Sequence, residues 1–247
     1  MLTWGFDQLG TMPTIYNYPY YPEHIKAIGG FEVDNKYVEN KLMVPEAVPE
    51  KYAKIAAMIQ KRYNLHVVKL TKKMVFDEGY GQKIFDLINA TYSHLYGYSQ
   101  LTQKQINQYI KMYLGMLDLE FVTLIEDWSG DERKLVGAGI SMPSLSIALQ
   151  KCHRGRMLPF GWWHLLRAIK FHKTKIVDLL LVGILPEYRA KGANALLFAD
   201  LIPIYQKYGI EWGETQVEME TNTAVQGQWG PLSPIQHKRR ECYIKKI

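Results

Sequence analysis

Apolar residues recur along this chain at two spacings, and the places where one gives way to the other set the expected order of elements. From Pro49 to Asn64, Tyr52, Ile55, Ala56, Ile59 and Tyr63 fall on one stripe with lysines between them, the pattern of an amphipathic helix. Glu78 to Leu95 repeats it through Ile84, Leu87, Ile88 and Tyr92, and Thr102 to Met116 through Ile106, Tyr109, Ile110 and Tyr113. Runs at His66 to Leu70, Leu119 to Asp127 and Lys134 to Met142 predict strands, the last two joined by a turn at Trp128-Ser129-Gly130-Asp131. Ile176 to Leu185 is a strongly apolar strand interrupted only by Asp178. Lys191 to Tyr208 then reads as a helix kinked at Pro203 and closed by Gly209. Thr215 to Glu220 predicts a strand, Thr223 to Trp229 a short helix and Glu241 to Ile247 a last strand.

The N-terminal stretch has neither spacing. Thr14 to Pro22 holds four tyrosines and two prolines in nine residues, which predicts an extended segment with aromatic anchors. Glu23 to Ile28 can make a short helix stopped by Gly29-Gly30, and Phe31 to Val44 reads as two strand pieces turned at Asp34-Asn35.

Composition narrows the class without naming it. The 247 residues are 47% apolar and 22% charged, which excludes a disordered or collagen-like chain. Net charge is +6, unevenly placed: Lys151 to Lys175 holds seven Lys/Arg and three His with no acid, and His237 to Lys246 holds five Lys/Arg with Glu241. The remainder carries 18 basic and 23 acidic residues, a mildly acidic body unlike the spread of Lys/Arg along a face that a basic nucleic-acid coat uses, and no specific nucleic acid is expected as a partner. Cys152 and Cys242 stand in no metal or redox spacing, and His153, His164 and His172 are not spaced as zinc ligands, so no metal is expected. With no signal-like start and no apolar run of about 20 residues, the expectation is a cytoplasmic protein with no transmembrane segment.

Chemistry concentrates where the apolar strand meets the following helix, at Ile184-Leu185-Pro186-Glu187-Tyr188-Arg189-Ala190-Lys191-Gly192-Ala193-Asn194. A buried strand feeding a basic, glycine-bearing turn at a helix start makes an anion cradle. First-turn N–H groups at Lys191, Gly192, Ala193 and Asn194 lack intrahelical acceptors, the helix dipole adds partial positive charge, and Arg189 and Lys191 add full charges.

Arg189-Ala190-Lys191-Gly192-Ala193-Asn194 after Ile184-Leu185-Pro186 resembles the GNAT superfamily of acyl-CoA-dependent N-acyltransferases, whose signature is Arg/Gln-x-x-Gly-x-Gly/Ala. Asn194 departs from it at the sixth position. The order of elements from Asn64 to Ile247 fits as well. The resemblance implies an α/β protein of α+β type, with a mixed, mostly antiparallel central sheet, a splayed strand pair and helices on both faces. It implies acetyl-CoA or another acyl-CoA as co-substrate and an amine acceptor. The diphosphate would lie on Arg189 to Asn194, and pantetheine would bond to the backbone of Val182 and Ile184.

Acyl transfer to an amine needs a base, because an ammonium has no lone pair. Asp178, the lone carboxylate of its strand, is the first candidate, and a solvated or ion-paired strand residue is the alternative. Glu218 is the second candidate, sharing a strand face with Glu220; the alternative is a surface position. Asn222 matches an Asn many members carry, while Trp229 stands where they carry the Tyr that protonates the leaving thiolate, leaving Tyr243 or another tyrosine, water or the ammonium for that step. His237, Arg239 and Arg240 are read as a solvated strand end, with the CoA 3′-phosphate as the other possibility.

Residues 143–175 exceed the connection the family needs. Their second helix, Gly161 to His172, has Trp162, Leu165, Leu166 and Ile169 on one stripe and Arg167 and Lys170 off it. A lid, a packing helix with a solvated basic face and a patch for a membrane surface or acidic partner all remain open. The expected domains are a partial GNAT-like C-terminal half (1–48), a linker helix (49–64) and the acyltransferase domain (65–247). On that division the chain has a homo-oligomer or a missing N-terminal half as a possible partner. An acyl-CoA-binding or partner-binding module without catalysis is the alternative to an enzyme.

Overall fold

The computed structural model describes residues 1–114, 117–152 and 155–246. In chain order, the first elements are β1 (Leu2–Trp4), α1 (Tyr20–Ile28), β2 (Glu32–Met43), α2 (Glu50–Tyr63), β3 (Leu65–Lys69), α3 (Lys72–Phe76), α4 (Tyr80–Tyr92) and α5 (Gln103–Tyr109). Next are β4 (Val122–Asp127), β5 (Lys134–Pro143), α6 (Ser146–Lys151), α7 (Gly161–Lys170), β6 (Ile176–Ile184), α8 (Pro186–Arg189) and α9 (Asn194–Lys207). The last are β7 (Trp212–Glu214), β8 (Glu218–Met219), α10 (Thr223–Gln228) and β9 (Ile235–Ile244). The nine-stranded sheet runs β1-β9-β2-β7-β6-β5-β4-β3, with β8 against β2. Its pairs are mostly antiparallel, and β6 with β7 is parallel. This is the mixed, mostly antiparallel α/β class that the sequence predicts. By contacts the chain forms two units, one of residues 1–44, 143–179 and 208–247, the other of residues 45–142 and 180–207.

In the second unit β4 is buried on both faces. Val122 and Leu124 pack in a core with Ile84, Leu87 and Ile88 of α4 and Ile106 of α5. Ile125 faces the other way, into a core with Ala56 and Ile59 of α2 and Leu196 and Leu197 of α9. Period-two alternation therefore places helices on both sides of the strand. Burying a side chain such as Leu124 or Ile125 contributes about 2 kcal/mol each. Thr102 closes a capping box with Gln105 at the start of α5, which passes into a π turn at Ile110–Leu114. Gly115 and Met116, the expected end of that helix, lie outside the described residues, as do His153, Arg154 and Ile247. The five-residue α3, started by the Thr71 cap, is too short to show a periodic stripe.

The first unit departs from the sequence reading in its strands. β2 is one twelve-residue strand where two pieces were expected, because Asp34-Asn35 makes a register shift against β9 instead of a turn. β9 begins at Ile235, six residues before the expected Glu241, and the reason is electrostatic. Lys238 lies opposite Glu39 in the ladder, and acids accept the charges that a pattern reading sends to solvent. The strand expected at Thr215 to Glu220 is split: β7 ends at Glu214, Thr215 bonds to Asn40, and β8 holds two residues against β2.

Candidate active site

The motif turn lies in the second unit. β6 ends at Ile184, α8 makes one turn, and Gly192 takes the left-handed conformation at φ 82° that glycine adopts without strain. A Cβ there would come within 3.3 Å of Ile55, so glycine also lets α2 approach. The Gly192 and Ala193 N–H groups donate to the carbonyls of Arg189 and Tyr188, at 2.9 and 3.3 Å. Those of Lys191 and Asn194 meet no backbone carbonyl among the described residues. Arg189 is exposed and donates from Nε to the carbonyl of Ile184 at 2.7 Å. Lys191 holds Nζ 4.3 Å from the ring centre of Tyr188 and 5.1 Å from that of Tyr63. Ala190 is exposed beside them. Two amide donors, a guanidinium and an ammonium thus suit a diphosphate.

The backbone of β6 has company at the positions named for pantetheine. The Tyr92 hydroxyl donates to the carbonyl of Val182 at 3.0 Å and accepts from its N–H at 3.3 Å. Gly183 permits this approach, since a Cβ there would lie 2.9 Å from Thr91 Oγ1. A ligand bonding to Val182 must displace the Tyr92 hydroxyl, a contact no spacing along the sequence announces.

The two candidate bases lie in the first unit, in different settings. Asp178 is 1% exposed, and neither carboxylate oxygen meets a donor in bonding geometry among the described residues; the Ser144 hydroxyl, which holds its pKa down somewhat, bonds to Ser146. Desolvation pushes its pKa up to about 6, and the charge of Glu214 adds to the rise. Glu218 is half-buried. Its Oε1 accepts from Trp229 Nε1 at 2.8 Å and its Oε2 from Asn40 at 3.4 Å. Desolvation raises its pKa to about 7 against the lowering by these two donors.

A raised carboxylate pKa has a consequence for stability. The folded state holds the Asp178 proton where the unfolded state has lost it, so stability falls as pH rises from about 4 through about 6. Asp178→Asn is therefore expected to be more stable than the wild type at pH 8, by roughly 3 kcal/mol for two pKa units, and no more stable at pH 4. Chemical unfolding at the two pH values checks this; equal differences at both would remove the buried-carboxylate reading.

Around Asp178 sits a network that sequence reasoning missed. Lys238 Nζ bonds to Glu39 Oε2 at 3.1 Å and to Glu214, and Arg240 bonds to Glu39. His237 Nε2 lies 2.8 Å from Glu214 Oε1. Lys238 is 1% exposed, Glu39 and Glu214 are fully buried, and Arg240 and His237 are buried. The solvated strand end expected at His237 and Arg240 is thus a buried ion cluster, whereas Arg239 faces outward 3.9 Å from Glu220. Asn222 caps α10, accepting from the Val225 N–H. The Tyr243 hydroxyl donates to Glu241 at 2.6 Å, and its pKa is pushed up to about 12 by burial and that carboxylate.

No family model matches the sequence. In fold, the chain is similar to the GCN5-related glucosamine N-acetyltransferase region of a fungal multi-domain GH3 β-N-acetylglucosaminidase. That match has a TM-score of 0.53 and 10% identity, over 91% of this chain and 22% of that one. It is similar too to a GCN5-related N-acetyltransferase from Sphaerobacter thermophilus, with a TM-score of 0.52 and 10% identity, over 89% of this chain and 56% of that one. The chain has the GCN5-related N-acetyltransferase fold. Among curated proteins it is similar to the bacterial ceramide synthase of Caulobacter vibrioides (strain NA1000 / CB15N), with 21% identity over 175 residues. That match covers 67% of this chain and 43% of the relative, so the chain spans less than half of that protein's length.

Proposed function

We propose that the protein is an acyl-CoA-dependent N-acyltransferase, with the turn Arg189 to Asn194 taking the diphosphate of the thioester and Glu218 acting as the base. The observation that carries the reading is the state of Glu218: half-buried, oriented by two donors, with a pKa raised to about 7. Such a carboxylate is ionised enough to accept a proton near neutrality and basic enough to keep it. Asp178 raises its pKa by a similar route but is closed to solvent at 1% exposure, which favours Glu218 for contact with an acceptor.

In the proposed reaction an ammonium gives one proton to Glu218. The freed nitrogen attacks the thioester carbonyl, so that a C–N bond forms and the C–S bond breaks. The second nitrogen proton passes to the departing sulfur through water, and Glu218 returns its proton to solvent. Tyr243 is tied to Glu241, which supports water in the sulfur step. Acetyl is the first expectation for the acyl group. The similarity to a protein named a ceramide synthase favours a second version, a long acyl chain delivered to a long-chain amine.

Thiol release with acetyl-CoA and with palmitoyl-CoA, each against polyamine, amino-sugar and sphingoid-amine acceptors, tests both. Amine-dependent release is expected for one donor, and that donor selects the version. Binding of a CoA thioester without release would leave a binding module in place of an enzyme.

A further inference from the structure

We propose that residues 144–152 and 155–175 form a docking surface for an anionic lipid bilayer. The proposal stands apart from the transfer reaction and uses none of its residues.

Its apolar side chains face outward to an extent that a packing helix does not explain. Leu158 is 76% exposed, Phe160 71%, Phe171 56% and Trp162 46%, while only Gly161 and Ala168 of α7 are buried. The rings form a group: Trp162 meets Trp163 edge-on at 5.8 Å, and Trp163 lies 6.2 Å from Phe171. Trp162 Nε1 donates to the carbonyl of Pro159 at 3.0 Å, so that ring can enter a low-dielectric layer without leaving its donor unpaired. Contiguous apolar exposure of this kind marks an interaction site.

Charge selects the occupant. Between Lys151 and Lys175 the sequence has no acid. Lys175 pairs with Glu211, but Lys151, Arg156, Arg167, Lys170 and Lys173 make no ion pair among the described residues. Ser144, Lys151, His164, Arg167 and Lys173 line a cavity of about 100 Å³, and no carboxylate is among its described lining residues. Outward Trp, Phe and Leu beside unpaired Lys and Arg is the composition of a surface that lies in the headgroup layer, with the cavity suited to a lipid phosphate. No helix among the described residues is long and apolar enough to cross a membrane, so the contact is peripheral.

The test uses the full chain with vesicles of phosphatidylcholine alone and of phosphatidylcholine with about 30% phosphatidylglycerol, by sedimentation at about 0.1 M salt. Partition at least about tenfold stronger onto the anionic vesicles is expected, falling as salt rises. Replacing both Leu158 and Phe160 by Ser is expected to weaken it by about tenfold or more. Arg167→Ala with Lys173→Ala is expected to weaken it roughly 25-fold, at about fivefold per charge. All four side chains are exposed, and unchanged thermal unfolding verifies that the variants fold. Equal partition onto both vesicles, no partition, or partition indifferent to Leu158 and Phe160 overturns the proposal. A stabilising effect of inorganic phosphate or of polyglutamate without vesicle binding also overturns it, leaving an anion or acidic-protein site.

Discussion

Glu218→Gln is expected to lower kcat/KM by about 10²- to 10⁴-fold, the usual contribution of a positioned general base. The substitution keeps the shape of the side chain and the acceptor for Trp229 Nε1 at 2.8 Å and gives up only the 3.4 Å acceptor for Asn40, so the expected loss is chiefly chemical. In the proposed role the ionised form does the work, and with a pKa raised to about 7 the wild-type kcat/KM is expected to climb with pH through that value. In the glutamine variant that limb is absent. The sign for stability runs the other way: a raised carboxylate pKa costs the folded state stability as pH rises from about 4.5 through about 7, so the variant is at least as stable as the wild type at pH 8. A variant that keeps both its rate and its limb near pH 7 would transfer the role to Asp178 or to water. Asp178→Asn, measured beside it, separates those two.

Lys238→Met is expected to produce the largest loss of stability of any single substitution described above, about 3 to 5 kcal/mol. Removing the ammonium takes away the cation that Glu39 and Glu214 share inside the protein, beside Asp178, and leaves Arg240 on Glu39 and the His237 ring 2.8 Å from Glu214. The midpoint of thermal unfolding should fall by roughly 6 to 20 °C in a chain of this size. Arg239 is the natural comparison, since it neighbours Lys238 in sequence, is half-exposed and lies 3.9 Å from its acid. Arg239→Met should change stability by less than about 0.5 kcal/mol. Equal effects at the two positions would contradict the buried cluster.

That contrast also shows where reading the sequence stopped. The cluster from His237 to Lys246 looks like a solvated cationic end because its charge is local and its acids are not. Glu39 stands 199 residues from Lys238, and no spacing rule joins them. The Asp34-Asn35 pair has turn composition, yet the partner strand holds it in a ladder as a bulge. By contrast, the motif turn was legible because everything that makes it is consecutive: an apolar strand, Pro186, two basic residues and a glycine that adopts a positive φ. Glu218 was visible only as one of two acids on a short strand. What singles it out is Trp229 and Asn40, one beyond the following helix and the other on β2. The sequence noted Trp229 only as the absence of a tyrosine. Tyr92 carried its helical stripe in the sequence, and its second role at Val182 came from the approach that Gly183 permits.

The central claim is that this fold binds a CoA thioester at Arg189 to Asn194, and the direct measurement is thermal unfolding of the full chain with acetyl-CoA, palmitoyl-CoA and free CoA. A thioester at 100 times its Kd should stabilise the protein by about 2.7 kcal/mol, and Arg189→Ala should weaken that effect. No stabilisation by any of the three, with the protein folded, would contradict the account.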